Sequence, residues 1–430
     1  MKVGRLITRN IRRRPIAGFL TALSVALGVA LFLCVWEVRR AGEAGFQRTA
    51  GVCNLLIGAK GSPLELTLSS LYYMGRSPGN VPFRCFPEIQ STAGVQWAAP
   101  LALGDSYRGH RVVGTTDTLF SRVDIGLGPG LSFSQGEAFS FSDSDLIHAH
   151  ADLTRDGHDH DHASHGSLFR AVLGSEAAKA TGLVVGDSFY PAHGVADTGK
   201  THEDAETKVV GILRSTGTPL DRVIFVPAGA YYAMEGHASD SDREGGARDP
   251  RGLSAILVGA KPGYYSLQIF SSWNSRLDAQ VVRPADEIQR LFVLVGGLDR
   301  ALWAVALLVL VVAIAGVAVA LSNTMSSRSR EFALLRALGA SRATILRLVS
   351  GEAALIAGFG GMLGVALAEG GLAVGAGVLQ DRTGIMVSPS FGAQEVSLVL
   401  GVAVVGSVAG LIPAWRAYRS QAADKLEEVA

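Results

Sequence analysis

The 430 residues are 48% hydrophobic and 18% charged, with 52 glycines and a formal net charge of +1. Soluble domains carry about 25% charged residues, so this depletion points to membrane segments, where glycine is also commoner. The near-zero net charge excludes reading a partner from global electrostatics, and three cysteines, Cys34, Cys53 and Cys85, are too few for a disulfide scaffold.

The chain opens on a basic stretch, 1–15, with Lys2, Arg5, Arg9, Arg12, Arg13 and Arg14. Ile16–Trp36 follows with no charge over 21 residues. That exceeds the apolar core of a secretory signal, about 7–15 residues, and no small-x-small site closes it, so it reads as a retained first span.

The 264 residues Glu37–Arg300 read as a mixed α/β domain. GVQWAAPLAL, HRVVGTT, RAVLGS, KVVGILR, RVIFVPA and SAILVGA are short β-branched runs bounded by turn residues. SPLELTLSSLYYM and PGYYSLQIFSSWNSRL have helical spacing, and SEAAKATG is a helix closed by Gly182. The region holds 24 Lys plus Arg against 30 Asp plus Glu and shows no nucleic-acid footprint. Ser134–Ser167, rich in Ser, Asp and His and poor in apolar residues, is expected to be mobile, and Ala238–Arg251, similar in composition, a surface excursion. Cys53 and Cys85 either bridge or stay as separate thiols, and Cys34 packs within the first span.

Residues 194–201, GVADTGKT, match the Gly-x-x-x-x-Gly-Lys-Thr phosphate loop. Such a loop must open a helix whose N-terminus faces the phosphates. Here the regular part that follows, Lys208–Leu213, reads as a strand, so the expectation is a Gly/Asp turn joining two strands and no ATPase site.

From Pro284 the pattern turns helical, with Asp286 and Glu287 complementing the helix N-terminus. Continued through the second span, Ala301–Met325, the helix is a stalk, with Gly296 and Gly297 as its candidate bend. A cytoplasmic segment, 326–347, leads to the third span, 348–379, a short external loop, 380–397, the fourth span, 398–415, and a tail, 416–430. The segment before span three carries Arg328, Arg330, Arg336, Arg342 and Arg347, and the tail carries Arg416, Arg419 and Lys425. The positive-inside rule then places both termini and this segment in the cytoplasm and Glu37–Arg300 outside it. In the segment, Glu331–Leu338 reads as a short amphipathic helix ended by Gly339, and Ser341 caps the next helix. Its spacing alone fits either a surface that receives force or a basic interfacial anchor.

Arg330, Glu331, Leu335, Arg336, Ala337, Leu338, Gly339 and Ala340, followed by Ile345, Leu346, Arg347, Leu348, Glu352 and Ala353, resemble the signature of the MacB/FtsX-like permease family of ABC transporters. RNIRRRPIAGFLTALSVALGVAL resembles the family's first span and IPAWRAYRSQAADKLEE, with Pro413, Ala414 and Ala417, its C-terminal ending. AVLGSEAAKATGLVVGDSF and KVVGILRSTGTPLDRVIFVPAGAYYAM are similar to its external domain. The resemblance implies four transmembrane helices and one large periplasmic domain on the bacterial inner membrane. It implies a non-catalytic permease subunit that works as a mechanotransmitter: a separate cytoplasmic ABC ATPase holds ATP and Mg²⁺, and residues 330–340 couple it to the spans. A second permease copy, an external substrate-binding or adaptor protein and membrane lipids are the other partners it implies. Gly358, Gly361 and Gly364 have the spacing of close helix packing, here assigned to the dimer. Glu352 and Glu369 are ionisable residues within a span.

The His-rich stretch 148–166 departs from the family. His148, His150, His158, His160, His162 and His165 lie beside Asp152, Asp156, Asp159 and Asp161, a donor set suited to Zn²⁺, Cu²⁺ or Ni²⁺. Read as an extended segment, the His-x-His alternation puts imidazoles on one side. Zinc is the only cofactor expected on this chain, and a link to metal homeostasis follows. The alternative function is a metal-binding membrane receptor or scaffold without a motor.

Overall fold

The computed structural model describes residues 15–126, 128–155, 168–194, 201–234, 252–327, 340–383 and 392–411. They fall into two units, one drawn from 1–41, 295–380 and 387–430, the other from 42–294 and 381–386.

The elements run in chain order as α1 (Pro15–Ala50), β1 (Leu55–Gly58), α2 (Pro63–Leu71), α3 (Cys85–Gln90), β2 (Val95–Tyr107), β3 (His110–Thr115), α4 (Thr118–Arg122), β4 (Phe133–Gly136) and α5 (Asp143–Arg155). Then come β5 (Arg170–Leu173), α6 (Ser175–Thr181), β6 (Ser188–Phe189), β7 (Ala192–His193), β8 (Thr207–Leu213), a 3₁₀ turn (Pro219–Arg222), β9 (Val223–Pro227), α7 (Ala228–Ala233), β10 (Ala255–Ala260), α8 (Tyr264–Asn274) and β11 (Gln280–Val282). The last three helices among the described residues are α9 (Pro284–Ser327), α10 (Arg342–Thr383) and α11 (Ala393–Ala409).

The α/β unit is built on one sheet in the order β11-β1-β10-β2-β3-β9-β5-β8-β4, with β6 on β8 and β7 on β2. Most pairings are antiparallel; β3 with β9 and β5 with β8 are parallel. The runs AILVGA, VIFVP and LLIG are buried along their whole length, as the centre of a covered sheet requires. Phe86, Phe139, Phe225, Leu101 and Leu146 fill the core. Helix ends follow local chemistry. Ser62 accepts a hydrogen bond from Glu65 N ahead of Pro63, and Gly182 closes α6 at φ 75°.

Part of Ser134–Ser167 is regular: the last three residues of β4 and the 13-residue α5 lie within it. The reason is a reciprocal cap. Ser142 N donates to Asp145 Oδ2 and Asp145 N to Ser142 Oγ, which starts the helix despite its polar composition. Leu146 then anchors the helix in the core. Helix α9 is uninterrupted at Gly296 and Gly297, one 44-residue helix of about 66 Å along its axis at 1.5 Å per residue. The first helix likewise continues past Trp36 to Ala50.

In the helical unit, stretches of 33, 24 and 35 residues in α1, α9 and α10 are long and apolar enough to cross a membrane. The fourth apolar helix, α11, is 17 residues long. Phe19, Leu27, Leu308, Val312, Phe359 and Val404 point away from the bundle, so apolar side chains cover its outside as well as its inside. Helices apolar all round are the pattern of a lipid-embedded bundle.

Candidate functional site

The helical unit is assembled around α10. Its start is fixed by Ser341, whose Oγ accepts a hydrogen bond from Thr344 N at 3.3 Å. Ala340 precedes it in an irregular conformation. Arg330, Glu331, Leu335, Arg336, Ala337, Leu338 and Gly339 lie outside the described residues.

Along α10 two tracks of glycine admit neighbouring helices of the same chain. A Cβ on Gly358 or Gly361 would meet Ala403 or Val399 of α11 at 3.5–3.6 Å. Cβ atoms on Gly360 and Gly364 would stand 2.6 and 2.7 Å from the carbonyl oxygens of Ala22 and Ala26 of α1. These approaches are what small residues permit in membrane helices. In turn α1 meets α9 through Gly28, near Ala313, and through edge-on contacts of Phe32 and Trp36 with Trp303, at centroid distances of 4.9 and 5.4 Å. Of the two acids in α10 singled out above, Glu352 is buried. Glu395 Oε2 accepts a hydrogen bond from Gly392 N at 2.6 Å, capping α11.

In the α/β unit a cleft of about 230 Å³ opens between the end of α1 and the Gly217–Val223 segment. Phe46 and Tyr72 stack along it, 4.9 Å between centroids, and the Tyr72 hydroxyl donates to the Phe46 carbonyl at 2.6 Å. Arg111 and Arg222 supply positive charge, and burial pushes the Arg111 guanidinium below its usual value. One wall is shaped by Asp221, whose carboxylate accepts hydrogen bonds from Thr216 N, Thr216 Oγ1, Gly217 N and Ser215 Oγ at 2.8–3.1 Å. This network accounts for the STGTPLD run: its short polar residues wrap a buried acid.

The His-rich stretch divides. His158, His160, His162 and His165 lie outside the described residues, while His148 is an exposed residue of α5 and position 150 lies in the same helix. Two positions apart on a helix are about 200° apart around its axis. The one-sided alternation expected of an extended segment therefore does not hold for positions 148 and 150.

A different donor set comes together. Asp105, His193 and His202 place one ligand atom each within 4.8 Å of one another. Asp105 lies on β2 at a register shift between Leu103 and Asp105. His193, on β7, is its direct cross-strand partner. His202 comes after 195–200, which lie outside the described residues; next to it Thr201 bridges to Ala192, and His202 N donates to the Pro191 carbonyl at 2.8 Å. Only sheet pairing unites residues so far apart in the chain.

Residues 303–422 match the FtsX-like permease C-terminal family. Over 97 residues the chain is 38% identical to the macrolide export ATP-binding/permease protein MacB of Nitrobacter winogradskyi. The match spans 22% of this chain and 14% of the length of that protein. Among solved structures, the periplasmic region of MacB from Actinobacillus actinomycetemcomitans aligns at 12% identity, covering 55% of this chain and 91% of that one with a TM-score of 0.32. The extracellular domain of the noncanonic ABC-type transporter YknZ from Gram-positive bacteria aligns at 14% identity, over 53% of this chain and 98% of that one, with a TM-score of 0.30.

Proposed function

We propose that this chain, a member of the MacB/FtsX-like permease family, is the non-catalytic membrane subunit of an ABC transporter. A separate ATPase hydrolyses ATP in the cytoplasm, and this chain converts the cycle into work on a substrate beyond the membrane. The observation that carries the reading is the family match over 303–422, which includes the C-terminal part of α9, the segment that follows it and all of α10 and α11.

Within this reading α1, α9, α10 and α11 are four spans, both termini face the cytoplasm, and the α/β unit lies in the periplasm of an inner-membrane protein. Residues 330–340 receive the motion of the ATPase. The Ser341 cap supports this role, because a fixed start for α10 ties any displacement of 330–340 to a long helix. Helices α1 and α9 each contribute residues to both units, so each is a covalent route for force. Two copies pair in the membrane, and the outward apolar side chains of the bundle support a lipid or partner contact there. The His-rich stretch adds a link to transition-metal handling.

The test is affinity purification from detergent followed by ATPase assay. An ATPase subunit should co-purify in stoichiometric amount. Leu335→Glu and Gly339→Val should leave the complex assembled or weakened but lose the permease-dependent change in hydrolysis rate. Normal coupling in both variants rejects the assignment of 330–340. Absence of any co-purifying ATPase, with the chain still binding metal, favours the receptor or scaffold reading.

A further inference from the structure

We propose that Asp105, His193 and His202 form a binding site for a divalent transition metal of the zinc class, on the face of the sheet where β7 joins β2. This site is separate from the His-rich stretch and stands whether or not the chain works with an ATPase.

The donor chemistry comes first. One carboxylate and two imidazoles are the ligand types that Zn²⁺ selects, and three protein ligands leave a fourth position for water or an exchanging group. Distances come next. Ligands of tetrahedral zinc sit about 2.0–2.2 Å from the ion, hence roughly 3.3 Å from one another. The structure places His193 Nδ1 3.3 Å from Asp105 Oδ1 and His202 Nε2 3.6 Å from Asp105 Oδ2. The two imidazole rings are 5.9 Å apart at 81°, so both address the same carboxylate from different directions.

The backbone positions all three donors. The register shift on β2 turns Asp105 toward β7, a common use of an irregularity beside a functional site. The ladder partner His193 is held by the strand pairing itself, reinforced by Gly194 N donating to the Gly104 carbonyl at 2.8 Å. His202 is held by its own backbone bond to Pro191. Burial is graded: the Asp105 side chain is fully buried, that of His202 is 5% exposed and that of His193 48% exposed. The site is thus anchored in the protein and open to solvent on the His193 side, the arrangement of an exchangeable rather than a sealed structural metal.

The test uses the full-length chain in detergent, with His148, His150, His158, His160, His162 and His165 replaced by Ser so that the loop cannot contribute. Co²⁺ is the probe, because tetrahedral Co²⁺ has a strong visible absorption, and Zn²⁺ is the competitor. The expected result is one Co²⁺ per chain, displaced by equimolar Zn²⁺, with affinity reduced at least about 100-fold in His193→Ala and in His202→Ala. The His193 variant alters a half-exposed side chain, so it reports even if the His202 variant fails to fold. No Co²⁺ or Zn²⁺ bound by the six-Ser chain overturns the proposal, and so does unchanged affinity in His193→Ala.

Discussion

A Cβ on Gly364 would stand 2.7 Å from the carbonyl oxygen of Ala26, closer than real side chains approach a neighbouring backbone. Val29 closes the same spot, with its Cβ also at 2.7 Å. The helix pair α1–α10 is therefore set by the absence of a side chain at this point. Gly364→Ala should force the helices apart and cost about 1–3 kcal/mol, the usual scale of overpacking. Gly371→Ala is the contrast: nothing lies within 4 Å of the added methyl, and alanine is the better helix former by roughly 0.5–1 kcal/mol. Thermal unfolding of the purified chain in detergent should rank Gly371→Ala at or above the parent and Gly364→Ala below it. Equal melting temperatures for the two variants would remove the close approach as a stability determinant.

A second prediction concerns acid. Arg276 donates two hydrogen bonds to the Asp278 carboxylate, at 2.9 and 3.1 Å, and Arg84 adds a third at 2.7 Å. Hydrogen bonding to Arg276 above all holds the Asp278 carboxyl far below the usual carboxylate range. A folded-state pKa depressed below the unfolded value of about 3.9 stabilises the protein fully above that value, and the contribution drains away as pH falls below it. Asp278→Asn should therefore lower the melting temperature at pH 7 and flatten its dependence on pH below 4. A parallel pH profile in variant and parent would contradict the assignment. Arg276 also stacks over Trp273, 4.5 Å from the ring centroid, so Arg276→Ala should cost more than the ion pair alone.

Legibility in the sequence followed the range of the interactions involved. The runs HRVVGTT, KVVGILR, RVIFVPA and SAILVGA could be read as strands because alternation and β-branching are local properties, and each holds a strand. Gly182 and Pro284 marked helix ends for the same reason. Strands such as β6 and β7, two residues each, are too short to carry a period. Helix α5 was hidden by composition: Ser, Asp and His outweigh its apolar residues, and the Ser142–Asp145 cap is the signal that outvotes them. The Asp105–His193–His202 set was invisible because the β2–β7 pairing creates it, and no spacing rule spans that distance. The glycines of α10 announced close packing but not the partner; the contacts of Gly360 and Gly364 are with α1.

The cysteines give a chemical prediction. Cys53 and Cys85 are both buried in the α/β unit and neither forms a disulfide. Burial raises the Cys53 thiol to about 12 and the Cys85 thiol to about 11, the latter helped by the nearby Asp278 charge. Thiolate is the reactive form, so at pH 8 both should alkylate at least about tenfold more slowly than in denaturant. Mass spectrometry after a brief iodoacetamide pulse measures this directly. Rapid native labelling at Cys53 would mean that the β1–β10 region opens far more readily than its buried strands imply.

The most demanding prediction rests on Asp221. Its carboxylate is buried and takes four hydrogen bonds from Ser215, Thr216 and Gly217. The backbone it stabilises is also the backbone against which Gly174 packs, since a Cβ there would lie 2.3 Å from the Leu220 carbonyl oxygen. Asp221→Ala would strand several donors at once, at about 1–3 kcal/mol for each buried group left unsatisfied. Asp221→Asn keeps the shape but turns one acceptor into a donor facing other donors, so it should recover little. Because Gly217 and Arg222 line the cleft beside Phe46 and Tyr72, the same substitutions should loosen that wall. Hydrogen exchange should show faster amide exchange at 215–223 in both variants, with α10 unchanged. Protection at 215–223 equal to that of the parent would show that the turn is held by its flanking strands β8 and β9 rather than by the acid.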